Sequence, residues 1–199
     1  MADGARAASQ ARTREAIIAA AHEAFPNAGF HRTSLEQVAR GAGVTTGAIY
    51  SNFSTKAELF LAVYERQMDR WIADLEAAVS EGGSVADRTA AASDEWLRYA
   101  RSQEGWFRLN LEFWAHAVDD DELRVRFAEQ SFRLRHAIAG MIGRDAAERD
   151  IDLPLPADQL AVAVNALGNG LLIDRALRPE AVPDGLYEAV LLQLFKSLG

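Results

Sequence analysis

Cysteine is absent from the 199-residue sequence, so no disulfide braces the fold and no thiolate is available as nucleophile or metal ligand. Proline is scarce, at five residues, and no long polar low-complexity run occurs, which argues against disorder. No apolar run approaches about 18 residues and the first residues carry no hydrophobic signal core, so neither a membrane span nor export is expected. The expected compartment is cytoplasmic. Histidine is also rare: His22 and His31 lie in the first third of the chain, and His116 and His136 have no serine, cysteine or acidic partner at a telling spacing. Without a convergent acid, base or nucleophile, no enzyme is expected. Four carboxylates, Asp119 to Glu122, lie near His116, but acids at a helix start stabilise its dipole without a metal; no metal or cofactor is expected.

Basic charge is short overall and unevenly spread. Residues 1–56 carry six Lys and Arg against four Asp and Glu, a net +2, which leaves −10 for the rest of a chain whose total is −8. A mildly basic head on an acidic body would turn the head toward a polyanion.

Within that head, Thr33 to Phe53 reads as two short helices joined by a tight turn. Thr33 and Glu36 have the spacing of a capping box, with Leu35, Val38 and Ala39 on one face of the first helix. Gly41-Ala42-Gly43 breaks that helix, and Thr45 or Thr46 caps the second, whose Ile49 and Phe53 face inward with Val44. Small Ala39, Gly43 at the turn and Ile49 as the filler are what a helix-turn-helix requires. The remaining face, Thr45, Thr46, Gly47, Ala48, Tyr50, Ser51 and Asn52, is small or polar and fits a major groove. The alternative on spacing alone is an ordinary helical hairpin.

Phe25, Gly29-Phe30, Thr33, the run A-G-V-T-T-G-A-I-Y-S-N-F, Lys56 and Leu59-Phe60 add a further signal. Through them, residues 12–64 resemble the N-terminal domain of the tetracycline-repressor-like (TetR/AcrR-type) transcriptional regulators. The resemblance implies three helices followed by a long linking helix, a homodimer, a C-terminal half that binds a small-molecule effector, and a phosphate contact from Lys56. Thr33, Tyr50 and Lys56 form the expected phosphate-positioning set; Thr45, Thr46, Gly47, Ala48 and Ser51 are candidates for base edges. No Arg, Lys or Gln lies in the second helix, so bidentate guanine reading is missing. Asn52, where the family often has His or Tyr, completes the expected DNA-binding set.

The expected organisation is all-α: a mobile arm over residues 1–11, a helix-turn-helix domain over 12–56, and a linking helix with an effector-binding and dimerisation domain over 57–199. Helices are expected at Arg12 to Phe25, with Pro26 ending the first early, then Lys56 to Val79, Val85 to Arg101, Glu104 to Ala117 and Asp120 to Gly143. Glu81-Gly82-Gly83-Ser84 stops the linking helix. A loop from Asp145 to Pro156 precedes helices at Ala157 to Leu177 and Pro183 to Leu198.

Aromatics concentrate in the middle of the chain, and the expected effector pocket draws on Trp71, Trp96, Trp106, Phe113, Trp114 and Phe127, with Asn110, His136, Asn165 and Asn169 as its polar points. Its ligand would be largely apolar or aromatic. Leu160, Val164, Leu167, Gly168 and Leu171, with Leu186, Val190 and Leu194, form stripes wide enough for two partners; they are the expected face of a C2 four-helix dimer interface. Two heads would then read a near-palindromic operator, and a ligand would relieve repression. The alternatives are a helical ligand-binding or interaction module that binds no operator, and a corepressor-dependent or activating regulator.

Overall fold

A computed structural model describes residues 2–80, 83–102 and 104–196; the expected stop at Glu81-Gly82 and the expected end of the last helix at Leu198 lie outside them. Among the described residues the regular structure is helical: α1 (Ala2–Ala28), α2 (Leu35–Ala42), α3 (Thr46–Tyr50), α4 (Lys56–Ser80), α5 (Val85–Ser102), α6 (Glu104–Val118), α7 (Asp121–Arg149), α8 (Ala157–Leu177) and α9 (Leu186–Lys196), with a 3-10 turn at Pro179–Ala181. The chain divides into two compact units, Met1–Gln67 with Glu104–Ala128 and Met68–Gln103 with Glu129–Gly199. The division falls inside α4 and assigns α6 to the same unit as the helix-turn-helix, whereas the sequence reading divides the chain at residue 56.

In the first unit α1 begins at Ala2 rather than Arg12, because the alanine-rich segment expected as an arm has nothing but Gly4 to interrupt a helix. Pro26 does not end it. That residue sits in the last turn, at the cost of the one helical bond its N–H would have made to the His22 carbonyl, and the helix closes at Gly29, whose N–H donates to Phe25 O at 2.8 Å with φ at 86°. The core is aromatic: Phe60 stacks on Phe113 at 4.1 Å between centroids, Phe25 meets Phe60 edge-on at 5.5 Å, and Phe30 meets Phe113 at 5.2 Å. Each such buried ring contributes about 1.5–3 kcal/mol from burial alone. Ile17, Ile49, Phe53 and Leu59 complete it.

In the second unit α5, α8 and α9 share a core of Trp96, Leu160, Ala161, Val164, Leu172, Tyr187 and Leu191. The Tyr187 hydroxyl donates to Val164 O at 3.3 Å, and burial pushes its pKa up. Helix α7 runs six residues past the expected Gly143 because Asp145, Glu148 and Arg149 are ion-paired rather than loop residues. Asp145 accepts from Arg149 at 2.6 Å and Arg88 at 2.8 Å, and Asp150, in the left-handed region at φ 55°, ends the run. By length and composition alone α8 is apolar enough to span a bilayer, with 28% of its most apolar window buried inside the chain; the core helix of a soluble protein passes the same test. An apolar helix largely uncovered by its own chain needs another surface.

Candidate nucleic-acid interface

The turn between α2 and α3 is built as the glycine pattern predicts. Gly43 adopts φ 68°, its N–H bonds Ala39 O and Arg40 O, and Thr45 caps α3 by accepting from Ala48 N at 3.2 Å. The cap of α2 falls one residue later than expected. Ser34, not Thr33, accepts from Gln37 N at 3.2 Å while the Gln37 side chain accepts from Ser34 N at 3.0 Å. Both T-x-x-E and S-x-x-Q satisfy the capping pattern, and burial decides between them: Thr33 is 2% exposed and its hydroxyl donates to Gly29 O at 2.7 Å. It is therefore an internal brace, which corrects its expected role as a phosphate donor. The Glu36 carboxyl, in the first turn of α2, is held below its ordinary range by its own backbone N–H and then by the Ser34 hydroxyl.

Helix α3 buries only Ile49. Thr45, Gly47, Tyr50 and Ser51 are exposed, Thr46, Ala48 and Asn52 are half-buried, and Tyr50 at 57% is among the most exposed large side chains of the chain. Two of these polar groups are already used at home: Ser51 Oγ donates to Gly47 O at 2.9 Å and Asn52 Nδ2 to Ala48 O at 2.7 Å. What faces outward is thus small backbone, hydroxyl lone pairs, methyls and one phenol. Such a surface is suited to groove shape and thymine methyls rather than to guanine forks.

Lys56 starts α4 against the helix dipole, and the structure shows the compensation. Its ammonium donates to His31 O at 3.0 Å and Thr33 O at 3.2 Å and lies 4.8 Å from the Phe30 ring centroid. Behind it, Glu58 N donates to Thr55 Oγ1 at 3.0 Å, while the Glu58 carboxylate reaches Ser54 N at 2.7 Å rather than Thr55.

Of the expected effector residues, Trp106 and Phe113 are core members of the first unit: Trp106 packs on His22 at 4.9 Å and Phe113 on Phe60. His22 Nε2 in turn lies 3.0 Å from Gln67 Oε1 on α4. Asn110 Oδ1 and Trp114 Nε1, also on α6, are buried with no hydrogen-bond partner among the described residues, and Trp114 meets Phe127 edge-on at 6.4 Å. In the second unit Trp71 stacks on Tyr99 at 5.0 Å, and Trp71 Nε1 and Trp96 Nε1 are likewise buried and unpartnered. Asn165 and Asn169 are half-buried on α8. His136 is exposed instead, lining an open groove of about 350 Å³ with Ile72, Glu76, Arg133 and Arg144.

The expected dimer face needs correction. Leu160, Val164 and Gly168 lie inside the second unit's core; a Cβ on Gly168 would stand 3.0 Å from Trp96 Nε1, so its close approach is to α5, not to another subunit. Leu167, Leu171, Leu186 and Leu194 are half-buried and Val190 is exposed. The uncovered stripe of α8 is Val162, Ala166 and Gly170, with Leu177 80% exposed at its end. It lies about half a turn from the stripe that the leucine spacing favours.

Sequence reasoning missed Arg14 and Glu112, which hold the head from α1 and α6. Neither had a local signal, since their partners stand 38 and 81 to 82 residues away.

Comparison with known proteins identifies the pattern. The profile of the bacterial regulatory proteins, tetR family, matches residues 17–63, and that of the BetI-type transcriptional repressor C-terminal region matches residues 85–199. The HTH-type transcriptional regulator TtgR of Pseudomonas putida is 32% identical over 183 residues, covering 85% of this chain and 83% of that protein. The HTH-type transcriptional activator FasR of Mycolicibacterium smegmatis is 24% identical over 176 residues, with 88% and 80% covered. Among solved structures, the transcriptional regulator FadR of Bacillus subtilis, in complex with stearoyl-CoA, shares the fold at a TM-score of 0.72 and 18% identity, covering 93% of this chain and 99% of that one.

Proposed function

The chain belongs to the tetR family of bacterial regulatory proteins and is a DNA-binding transcriptional regulator, and we propose that it works in the cytoplasm as a homodimeric repressor released from a near-palindromic operator by a small ligand. The observation that carries this reading is α3: a capped helix that buries one residue and presents Thr45, Thr46, Gly47, Ala48, Tyr50 and Ser51 outward. Five residues reach too few base edges for useful specificity, so two copies reading successive major grooves are required, with half-sites about 34–36 Å apart or a multiple of that.

The second copy docks on the uncovered stripe of α8, through Val162, Ala166 and Gly170, and on Val190 of α9. Nothing lies within 4 Å of a Cβ built at Gly170, which leaves room for close helix approach there. The effector is an apolar or aromatic molecule carrying a hydrogen-bond acceptor for a buried indole N–H, as at Trp71, Trp96 or Trp114, or a donor for Asn110 Oδ1. Each of those unpartnered atoms carries a desolvation penalty of about 1–3 kcal/mol that a matched ligand atom would relieve. A ligand releases the operator only by its differential affinity for the free and DNA-bound arrangements. FadR of Bacillus subtilis, of the same fold, holds an acyl-CoA, and FasR is named an activator; the sign of regulation is therefore part of the test.

That test is selection from a random duplex pool with purified protein. Enrichment of a near-palindrome is expected, and its occlusion of a promoter in a transcription assay would establish repression. A folded dimer that enriches no sequence would contradict the reading and favour the helical ligand-binding module.

A further inference from the structure

The turn between α1 and α2 is gripped from two sides. Phe30 N and His31 N donate to the two carboxylate oxygens of Glu112 on α6, at 3.0 and 2.9 Å. The carbonyls of the same turn, His31 O and Thr33 O, accept from Lys56. Gly29 completes the fit, because a Cβ there would stand 2.8 Å from Glu112 Oε2. Next to Glu112 on the same helix, Phe113 packs on Phe30 at 5.2 Å and His116 lies 5.3 Å from the same ring. Residues 112, 113 and 116 thus form one gripping surface.

We infer that Glu112 is a positioning residue for operator binding: its carboxylate holds the α1–α2 turn, and through it the helix-turn-helix, in the arrangement that DNA selects. The inference rests on the operator-binding reading above. A turn released from the carboxylate would have to be ordered during DNA binding, at the expense of affinity. Helix α6 also gives the grip a route for regulation. Asn110 and Trp114 lie two residues before and after Glu112, about 200° around the helix, and their buried Oδ1 and Nε1 atoms have no partner.

The sign of the effect separates this role from simple electrostatics. Deleting an acidic residue from a chain of net charge −8 should strengthen binding to DNA. Glu112→Ala is instead expected to weaken binding of the selected duplex about tenfold, the worth of roughly one charge-assisted hydrogen bond. The exposed control Glu129→Ala is expected to leave it equal or tighter. In the same Glu112→Ala protein, hydrogen exchange at the amides of Phe30 and His31 is expected to accelerate at least about tenfold, with the melting midpoint little changed. Unchanged or tighter DNA binding by folded Glu112→Ala would overturn the inference, as would wild-type amides at 30 and 31 that exchange like open turn amides. Should the alanine variant not fold, Glu112→Gln keeps the shape and one acceptor oxygen; about threefold weaker binding is expected, and wild-type affinity would overturn the inference. The exchange experiment involves no DNA, so failure of the wild type to bind any duplex would count against the operator reading while the grip itself is still judged.

Discussion

Arg14 donates from Nη1 to the carbonyl oxygen of Asn52 at 3.1 Å, and its guanidinium carbon lies 4.2 Å from the centroid of the Phe53 ring. The first helix is thereby fastened to the exit of α3, where backbone carbonyls have lost their helical partners. Removing that fastening should loosen the reading surface without touching DNA contacts.

Arg14→Ala is expected to lower unfolding free energy by about 1–2 kcal/mol, read from the urea midpoint at an unchanged slope. Arg14→Lys should recover less than half, because an ammonium lacks the flat guanidinium face that packs over the Phe53 ring and has no second donor arm held in a fixed fork. Equal midpoints for wild type and Arg14→Ala would count against the brace.

Two glycines with positive φ should differ in their tolerance of a methyl group. Gly43 stands at φ 68° with nothing within 4 Å of its would-be Cβ, so Gly43→Ala should cost about 1 kcal/mol from backbone strain. Gly29 adds a collision with Glu112, and Gly29→Ala should cost about 2–3 kcal/mol. Chemical denaturation of both variants checks the order; the reverse order would contradict the described turn.

The two stripes of α8 should separate in experiment. Ala166→Arg, on the exposed stripe, is expected to give a folded monomer by sedimentation equilibrium. Leu160→Ala, fully buried, should destabilise the fold by about 2–5 kcal/mol while leaving a dimer at low temperature. If Ala166→Arg stayed fully dimeric, the interface would lie elsewhere.

Ser84 and Asp87 cap α5 reciprocally, with Ser84 N and Ser84 Oγ donating to Asp87 Oδ2 at 2.8 and 2.7 Å. Those bonds, the backbone one first, hold the Asp87 carboxyl below its ordinary value of 3.8. A depressed folded pKa means that the stabilisation is full above the unfolded value and is lost as pH falls through the folded one. Asp87→Asn should therefore flatten the acid limb of the melting profile below about pH 4 and leave the shape above pH 6 unchanged.

Most of the helical architecture is legible in the sequence. Ile49, Gly43 and Thr45 announce the helix-turn-helix by spacing, and the periodic leucines delimit α8. The misplacements have local physical causes. Thr33-x-x-Glu36 and Ser34-x-x-Gln37 are equally good caps until the buried Thr33 hydroxyl is seen to serve Gly29. Polar Asp145 and Arg149 look like loop residues until Arg88 arrives from another helix. The leucine stripe of α8 points to a partner on sequence alone, because periodicity reports a buried face without saying what buries it. Arg14 and Glu112 act across the fold on backbone atoms, which carry no side-chain pattern to read.

The central claim is that this chain reads DNA as a symmetric pair of heads, and the most direct measurement is fluorescence-anisotropy titration of the selected duplex, intact and with one half-site scrambled, at two salt concentrations. The account predicts two subunits per intact site, a steep log-linear loss of affinity with salt, and a loss of at least about a hundredfold on scrambling one half. Salt-insensitive binding, or equal affinity for the intact and half-scrambled duplexes, would contradict it.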